Sequence, residues 1–219
     1  MQLNHKDLLG IPLFLGLSEK DLMDIACNTR FNLRHHKKGS TIVEEGDTCN
    51  SLISIIEGWM EIDTYSDNKA YHLKEIVQAT QTLEPDKLFG ISPRYHSIYR
   101  AYTTCESISI MKEELTHIFN NYIIVRLNYL NLICRRTQQL ERQPWQPKPT
   151  TLTDRIATFI KQRSMYPAGR KVLHIKMTQL AEELNVSRLD ISNALNEMNR
   201  TDKIIQRRGM IEVPALQLL

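Results

Sequence analysis

Leu189, Ser192, Asn193, Asn196 and Arg200 recur at three- and four-residue spacings, with Arg188 one position ahead of them. At 100° per residue they share one side of a helix, short-armed and polar, with cations at its ends and few acids. Such side chains can read base edges. An Asn amide pairs bidentately with adenine, and a methyl-bearing side chain touches the thymine methyl in the major groove of duplex DNA. On an isolated helix pair the same pattern is also that of an ordinary solvated face, so the elements around it decide the reading.

Those elements are specified closely. Ile191, Ala194, Leu195 and Met198 form an apolar stripe on the opposite side of the same helix. Ser187 stands at the N-cap, Asp190 three residues on completes a capping box, and Val186 with Ile191 makes a hydrophobic staple. A shorter helix before it buries Leu180, Ala181 and Leu184, and Asn185 takes the left-handed position of the turn between them. By the same logic the first helix is capped at Lys176, with Ile175 and Leu180 as staple and Gln179 closing the box. Lysine has no side-chain oxygen for that task. After Asn199, two β-prone runs, Lys203–Gln206 and Met210–Val213, flank Arg207-Arg208-Gly209 and predict a basic two-stranded wing.

With the wing in place the chain resembles the cyclic-AMP receptor protein/FNR superfamily of bacterial transcription regulators. The residues that carry the resemblance are Leu180-Ala181, Asn185-Val186-Ser187-Arg188, Ile191-Ser192, Ala194-Leu195 and the Ile204…Gly209…Ile211 wing. Further upstream, Gly39, Glu45-Gly46-Asp47, Leu52, Ile56 and Gly58 match the superfamily's first strands, and Ile11-Pro12-Leu13-Phe14 its opening. The resemblance implies an α+β chain: an N-terminal β-roll (jelly-roll-like, of the cyclic-nucleotide-binding-domain type), a long dimerisation helix and a C-terminal winged helix-turn-helix. It also implies duplex DNA, a second copy of the chain and RNA polymerase as partners. The expected DNA-binding residues are Lys176, Thr178, Gln179, Ser187, Arg188, Leu189, Ser192, Asn193, Asn196, Arg200, Lys203, Arg207 and Arg208.

The effector segment departs from the pattern. In cyclic-nucleotide-binding members a Phe-Gly-Glu run is followed by a short helix and an Arg-Ser/Thr pair; the Glu holds the ribose hydroxyl and the Arg neutralises the cyclic phosphate. Here Leu88-Phe89-Gly90 is followed by Ile91, and the stretch to Tyr99-Arg100 is shortened, with Pro93 and a single cation, Arg94. An apolar side chain cannot accept the ribose hydrogen bond, and a buried unpaired hydroxyl costs about 1–3 kcal/mol. The candidate pocket comprises Leu88, Phe89, Gly90, Ile91, Arg94, Tyr95, His96, Tyr99 and Arg100, and cyclic AMP is not expected to fill it. The effector is unknown from sequence. Haem is the alternative that Tyr95-His96 and haem-sensing relatives keep open, though the seven histidines show no zinc spacing. The four cysteines, without any C-x-x-C pair, are expected to be buried small hydrophobes.

Charge and length agree with this organisation. Of the 219 residues, those from Thr150 onward carry 11 Lys+Arg against 7 Asp+Glu, while the rest carry 17 against 18, so the net +3 resides in the C-terminal segment. The expected divisions are 1–121 for the roll, 122–143 for the dimerisation helix, 144–150 for a hinge and 151–219 for the DNA-binding part. The Tyr122–Arg142 run predicts a helix roughly 30 Å long at about 1.5 Å per residue. It carries two apolar stripes: Ile123, Leu127, Leu130, Cys134 and Thr137 on one side for a dimer seam, and Val125, Tyr129, Leu132 and Ile133 on the other. Three prolines in six residues then stiffen the hinge, and Thr153 is placed to cap a helix from Asp154 to Met165. No apolar run of membrane-spanning length and no signal-peptide pattern occur, which predicts a cytoplasmic protein. Nucleophile elbow, phosphate loop and paired acids are all missing from the sequence, so an enzyme is not expected. The alternative to a DNA-binding regulator is a ligand-binding or scaffold module.

Overall fold

The computed structural model describes residues 5–142, 145 and 147–219, so Gln143 at the end of the expected dimerisation helix and Pro144 and Gln146 of the expected hinge lie outside the described residues. Two compact units emerge: Met1–Met60 with Gln78–Arg142, and Glu61–Val77 with Gln143–Leu219. The hairpin arm 61–77, expected to belong with the roll, therefore groups with the C-terminal residues. The reason is a strand pairing described below.

The first unit opens with a short helix α1 (His5–Leu8) and a 3-10 turn at Pro12–Phe14, then α2 (Glu19–Asn28). Pro12 opens the 3-10 turn, and Gly16 at φ +83° separates it from α2. Ser18 caps α2 as its sequence predicts, accepting from the Asp21 amide at 3.2 Å. The strands follow: β1 (Phe31–His36), β2 (Thr41–Val43), β3 (Ser51–Glu57), β4 (Trp59–Tyr65), β5 (His72–Gln78), β6 (Gln81–Thr82), β7 (Ile98–Ala101) and β8 (Cys105–Met111). A four-stranded sheet runs β1-β8-β3-β6, and β2 pairs antiparallel with β7. Period-two alternation buries Leu52, Ile110 and Met60 along their strands, and Leu83 and Leu88 are buried as well. Gly58 is obligatory at its corner: at φ +92° an added Cβ would lie 2.3 Å from the Thr104 carbonyl oxygen.

The roll is closed by α3 (Lys112–Asn121) and α4 (Ile123–Arg142). Val125 and Tyr129 on the inner face of α4 are buried. The Tyr129 hydroxyl donates to the Pro85 carbonyl at 2.7 Å, and its ring meets Phe89 and Phe119 edge-on or tilted. Cys49 and Cys105 are buried as expected, but Cys27 and Cys134 are exposed, because they sit on the outer faces of α2 and α4.

In the second unit, α5 (Leu152–Arg163) is capped by Thr151 rather than Thr153, since the Thr151 Oγ1 reaches the Asp154 amide at 3.1 Å. Strand β9 (Lys171–His174), helices α6 (Met177–Leu184) and α7 (Arg188–Arg200), and strands β10 (Ile205–Arg207) and β11 (Met210–Val213) complete the chain before a terminal 3-10 turn. The order β10-β11-β9-β5-β4 makes a continuous run of strands. In it β5 pairs with β9 in register His72↔His174 to Glu75↔Lys171. Glu75 and Lys171 are both fully buried and form an ion pair at 2.8 Å. The Glu75 carboxylate also accepts from the amides of Met165 and Tyr166, and Lys171 Nζ donates to the Ala168 carbonyl. That set of partners is what a buried charge pair needs to be tolerated. The core beneath holds Leu73, Ile156, Phe159, Ile160, Leu180, Leu184, Ile191, Leu195, Met198 and Ile211.

Candidate nucleic-acid interface

Helix α7 is fixed from within before anything binds it. The Ser187 hydroxyl accepts from the Asp190 amide at 3.1 Å, and the Asp190 carboxylate accepts from the Ser187 amide at 3.3 Å, a complete capping box. Asn185 holds φ 49°, ψ 56°, and its amide bonds back into the last turn of α6. At the far end the Asn199 side-chain oxygen accepts from the Gln206 amide, tying α7 to β10. Ile191, Ala194, Leu195 and Met198 are buried, as the stripe predicts.

The opposite face is open. Ser187, Arg188, Leu189, Asn193, Asn196 and Arg200 are exposed and Ser192 is half-buried. Leu189 is 69% exposed, a large apolar side chain that the fold gives nothing to pack against. Lys203, Arg207 and Arg208 of the β10–β11 ribbon are exposed too, and Gly209 makes the tight corner at φ +71°. The first ribbon strand begins at Ile205 rather than Lys203, because Lys203 is still held in the turn by its amide bond to the Met198 carbonyl. On α6, Lys176 and Thr178 are exposed and Gln179 is half-buried. Lys176 occupies the N-cap with no side-chain capping bond, and Gln179 does not reach back but turns its amide to Glu183.

The expected effector residues are not brought together. Ile91 is fully exposed, and Arg94 and His96 are exposed. Arg94 donates to the Gly46 carbonyl at 2.8 Å. Leu88, Tyr95 and Tyr99 are buried, and Phe89 lies between Tyr129 and the Lys112 ammonium. Burial, aided by the hydrogen bond with Cys49, pushes the Tyr95 phenol well above its ordinary range, so it is a neutral donor, here to the Ser51 carbonyl. A residue that the sequence did not single out, Glu84, sits where these segments meet: it is buried and accepts from the amides of His96 and Ser97 and from the Tyr99 hydroxyl. Only the awkwardness of a carboxylate between Leu83 and Pro85 could have hinted at it. Among the described residues, no group of three or more His, Cys, Asp or Glu side chains could hold a metal ion.

Residues 33–122 match the family model of the cyclic nucleotide-binding domain. The structural neighbours include transcription regulators. The catabolite activator protein of Thermus thermophilus aligns over 92% of this chain and 93% of its own, with 17% identity and a TM-score of 0.55. The sensor domain of the transcriptional regulator DNR from Pseudomonas aeruginosa aligns over 64% of this chain and 97% of its own, with 17% identity and a TM-score of 0.50. At these identities the likeness is one of fold. No curated protein matches the sequence.

Proposed function

We propose that the chain is a homodimeric, sequence-specific DNA-binding transcription regulator, with α6, α7 and the β10–β11 ribbon acting as a winged helix-turn-helix. The observation that carries this reading is the outward face of α7. A helix locked at both ends presents Arg188, Leu189, Asn193, Asn196 and Arg200 to solvent beside a basic ribbon. Nothing in the fold explains an exposed leucine at that place, whereas a thymine methyl would. Lys203, Arg207 and Arg208 supply phosphate contacts, which position the helix without reading sequence. The second copy is called for by α4, whose Ile123, Leu127 and Leu130 are about half exposed on the side away from the roll.

Two α7 helices related by a two-fold enter successive major grooves about 34 Å apart, so the operator is a near-palindrome. Leu189 and Asn193 favour thymine and adenine over guanine in its core. Selection from a random duplex library tests the proposal. It should return a two-fold-related site with half-sites one helical turn apart and an A·T-leaning core. A pool that stays random after repeated selection would defeat the reading.

A further inference from the structure

Glu84 is the most deeply committed charge in the roll. It lies in the turn between β6 and the 3-10 turn Pro85–Lys87, only 2% exposed, at φ 31°, ψ 61°. A left-handed conformation is uncommon for a residue with a long side chain, and it persists where surrounding contacts over-determine it. Those contacts are all donors. Oε2 accepts from the His96 amide at 2.9 Å, and Oε1 accepts from the Ser97 amide at 3.1 Å and the Tyr99 hydroxyl at 3.0 Å. Two consecutive backbone N–H groups on the two oxygens of one carboxylate form an anion cradle, and charge-assisted bonds of this kind are the strong ones.

The cradle belongs to the shortened segment in which an effector's phosphate would have to find its donors. There the side chains point elsewhere: Arg94 is exposed and bonded to Gly46, Ile91 is in solvent, and Tyr95 donates to Ser51. The inward-facing amides are already holding a negative charge. We propose that Glu84 is the domain's resident anion, taking the place on His96–Ser97 that an anionic effector would otherwise fill. The roll is thereby complete without a nucleotide, and DNA binding requires no anionic effector. This deepens the proposed regulator function and rests on it for the DNA step only; the anion cradle stands or falls separately.

The test uses the full chain carrying Glu84→Ala or Glu84→Gln. Removing the carboxylate leaves the amides buried and unpaired, so the Ala variant melts at a lower temperature than the wild type. Sodium formate or acetate, small enough to re-enter, should raise its Tm by about 2–4 °C beyond sodium chloride of equal ionic strength. The wild type should show no such difference. The Gln variant, one acceptor short and with an amide facing a donor, should also melt lower. Cyclic AMP titrated calorimetrically into the wild type at millimolar concentration should give no specific heat. Equal responses of the Ala variant to formate and chloride, a Gln variant as stable as the wild type, or micromolar nucleotide binding would each overturn the proposal. Should the Ala variant fail to fold, the Gln and nucleotide measurements still decide. Carboxylate rescue in a protein that binds no duplex would leave the resident anion standing and remove the regulator reading.

Discussion

Asn193 and Lys176 carry opposite kinds of contact on the proposed interface, and their substitutions should fail in opposite ways. Asn193 is exposed on the outward face of α7, where its amide can read one base pair. Asn193→Ala should lose about 1–3 kcal/mol at a single operator position and relax the preference there, as measured by competition among singly substituted duplexes. Loss spread evenly over all positions would contradict that role. Lys176 sits at the N-cap of α6 with no capping bond, its charge at the positive end of the helix dipole. A threonine there would recover about 1 kcal/mol of helix stability. If the proposed phosphate contact of Lys176 exists, Lys176→Thr should melt higher yet bind every duplex more weakly, with a log–log salt slope shallower by about one. Unchanged affinity and slope would reduce Lys176 to a surface position.

Pairing of β5 with β9 is what holds the 61–77 arm to the C-terminal unit, and it contains a pH-sensitive step. His72 and His174 are register partners whose rings stack at 4.3 Å, with Tyr65 on the far side of His72. Burial lowers the pKa of both rings. For His72 the His174 ring and Lys74 add to the effect, and for His174 Lys74 does, while Asp63 and Glu61 oppose it. Well above about pH 6.5 both rings are neutral whether the chain is folded or not, and the stability they allow is fully present. As the pH falls below that value, the unfolded chain takes up protons that the folded pair refuses, so stability is lost down to the folded pKa values. The Tm should therefore fall between pH 7 and pH 5.5, roughly the window set by a normal histidine, and His72→Gln should flatten that fall. An identical pH profile for the variant would show that the pair does not titrate in this way. An ion pair lies beside it in the same ladder. Glu75 and Lys171 are fully exposed to one another and not to water, so Lys171→Met should cost about 3–5 kcal/mol by leaving the carboxylate buried alone. Chemical denaturation would measure it, and a loss within the range of a surface change would contradict the burial.

At the scale of the whole molecule, what could be read in advance is what is local in the chain. The capping box of Ser187, the left-handed Asn185 and the inner stripe of the 123–142 helix depend on residues a few positions apart, and each stands in the structure where its spacing put it. Placement failed where two local signals competed or where the partner was remote. Thr151 and Thr153 are equally good caps by type, and only the helix start chooses between them. The His72–His174 and Glu75–Lys171 pairs join residues about a hundred positions apart, and the Glu84 cradle depends on a turn conformation that no periodicity encodes. No helix among the described residues is long and apolar enough to cross a membrane. In the proposed dimer, the exposed face of α4 packs on a second copy. Leu127→Glu should dissociate the dimer, seen as a halved mass by sedimentation, and weaken operator binding with it; a protein already monomeric as wild type would refute the seam.

The central claim is that α7 and its ribbon bind duplex DNA through phosphate neutralisation plus base readout. An anisotropy titration of the wild-type protein with a selected duplex and a scrambled one, repeated across a range of salt concentrations, tests it most directly. The account predicts tighter binding to the selected duplex at every salt concentration, and a log–log slope that steepens by roughly 0.9 per phosphate neutralised. Binding that is absent, or that neither distinguishes the two duplexes nor weakens with salt, would contradict it.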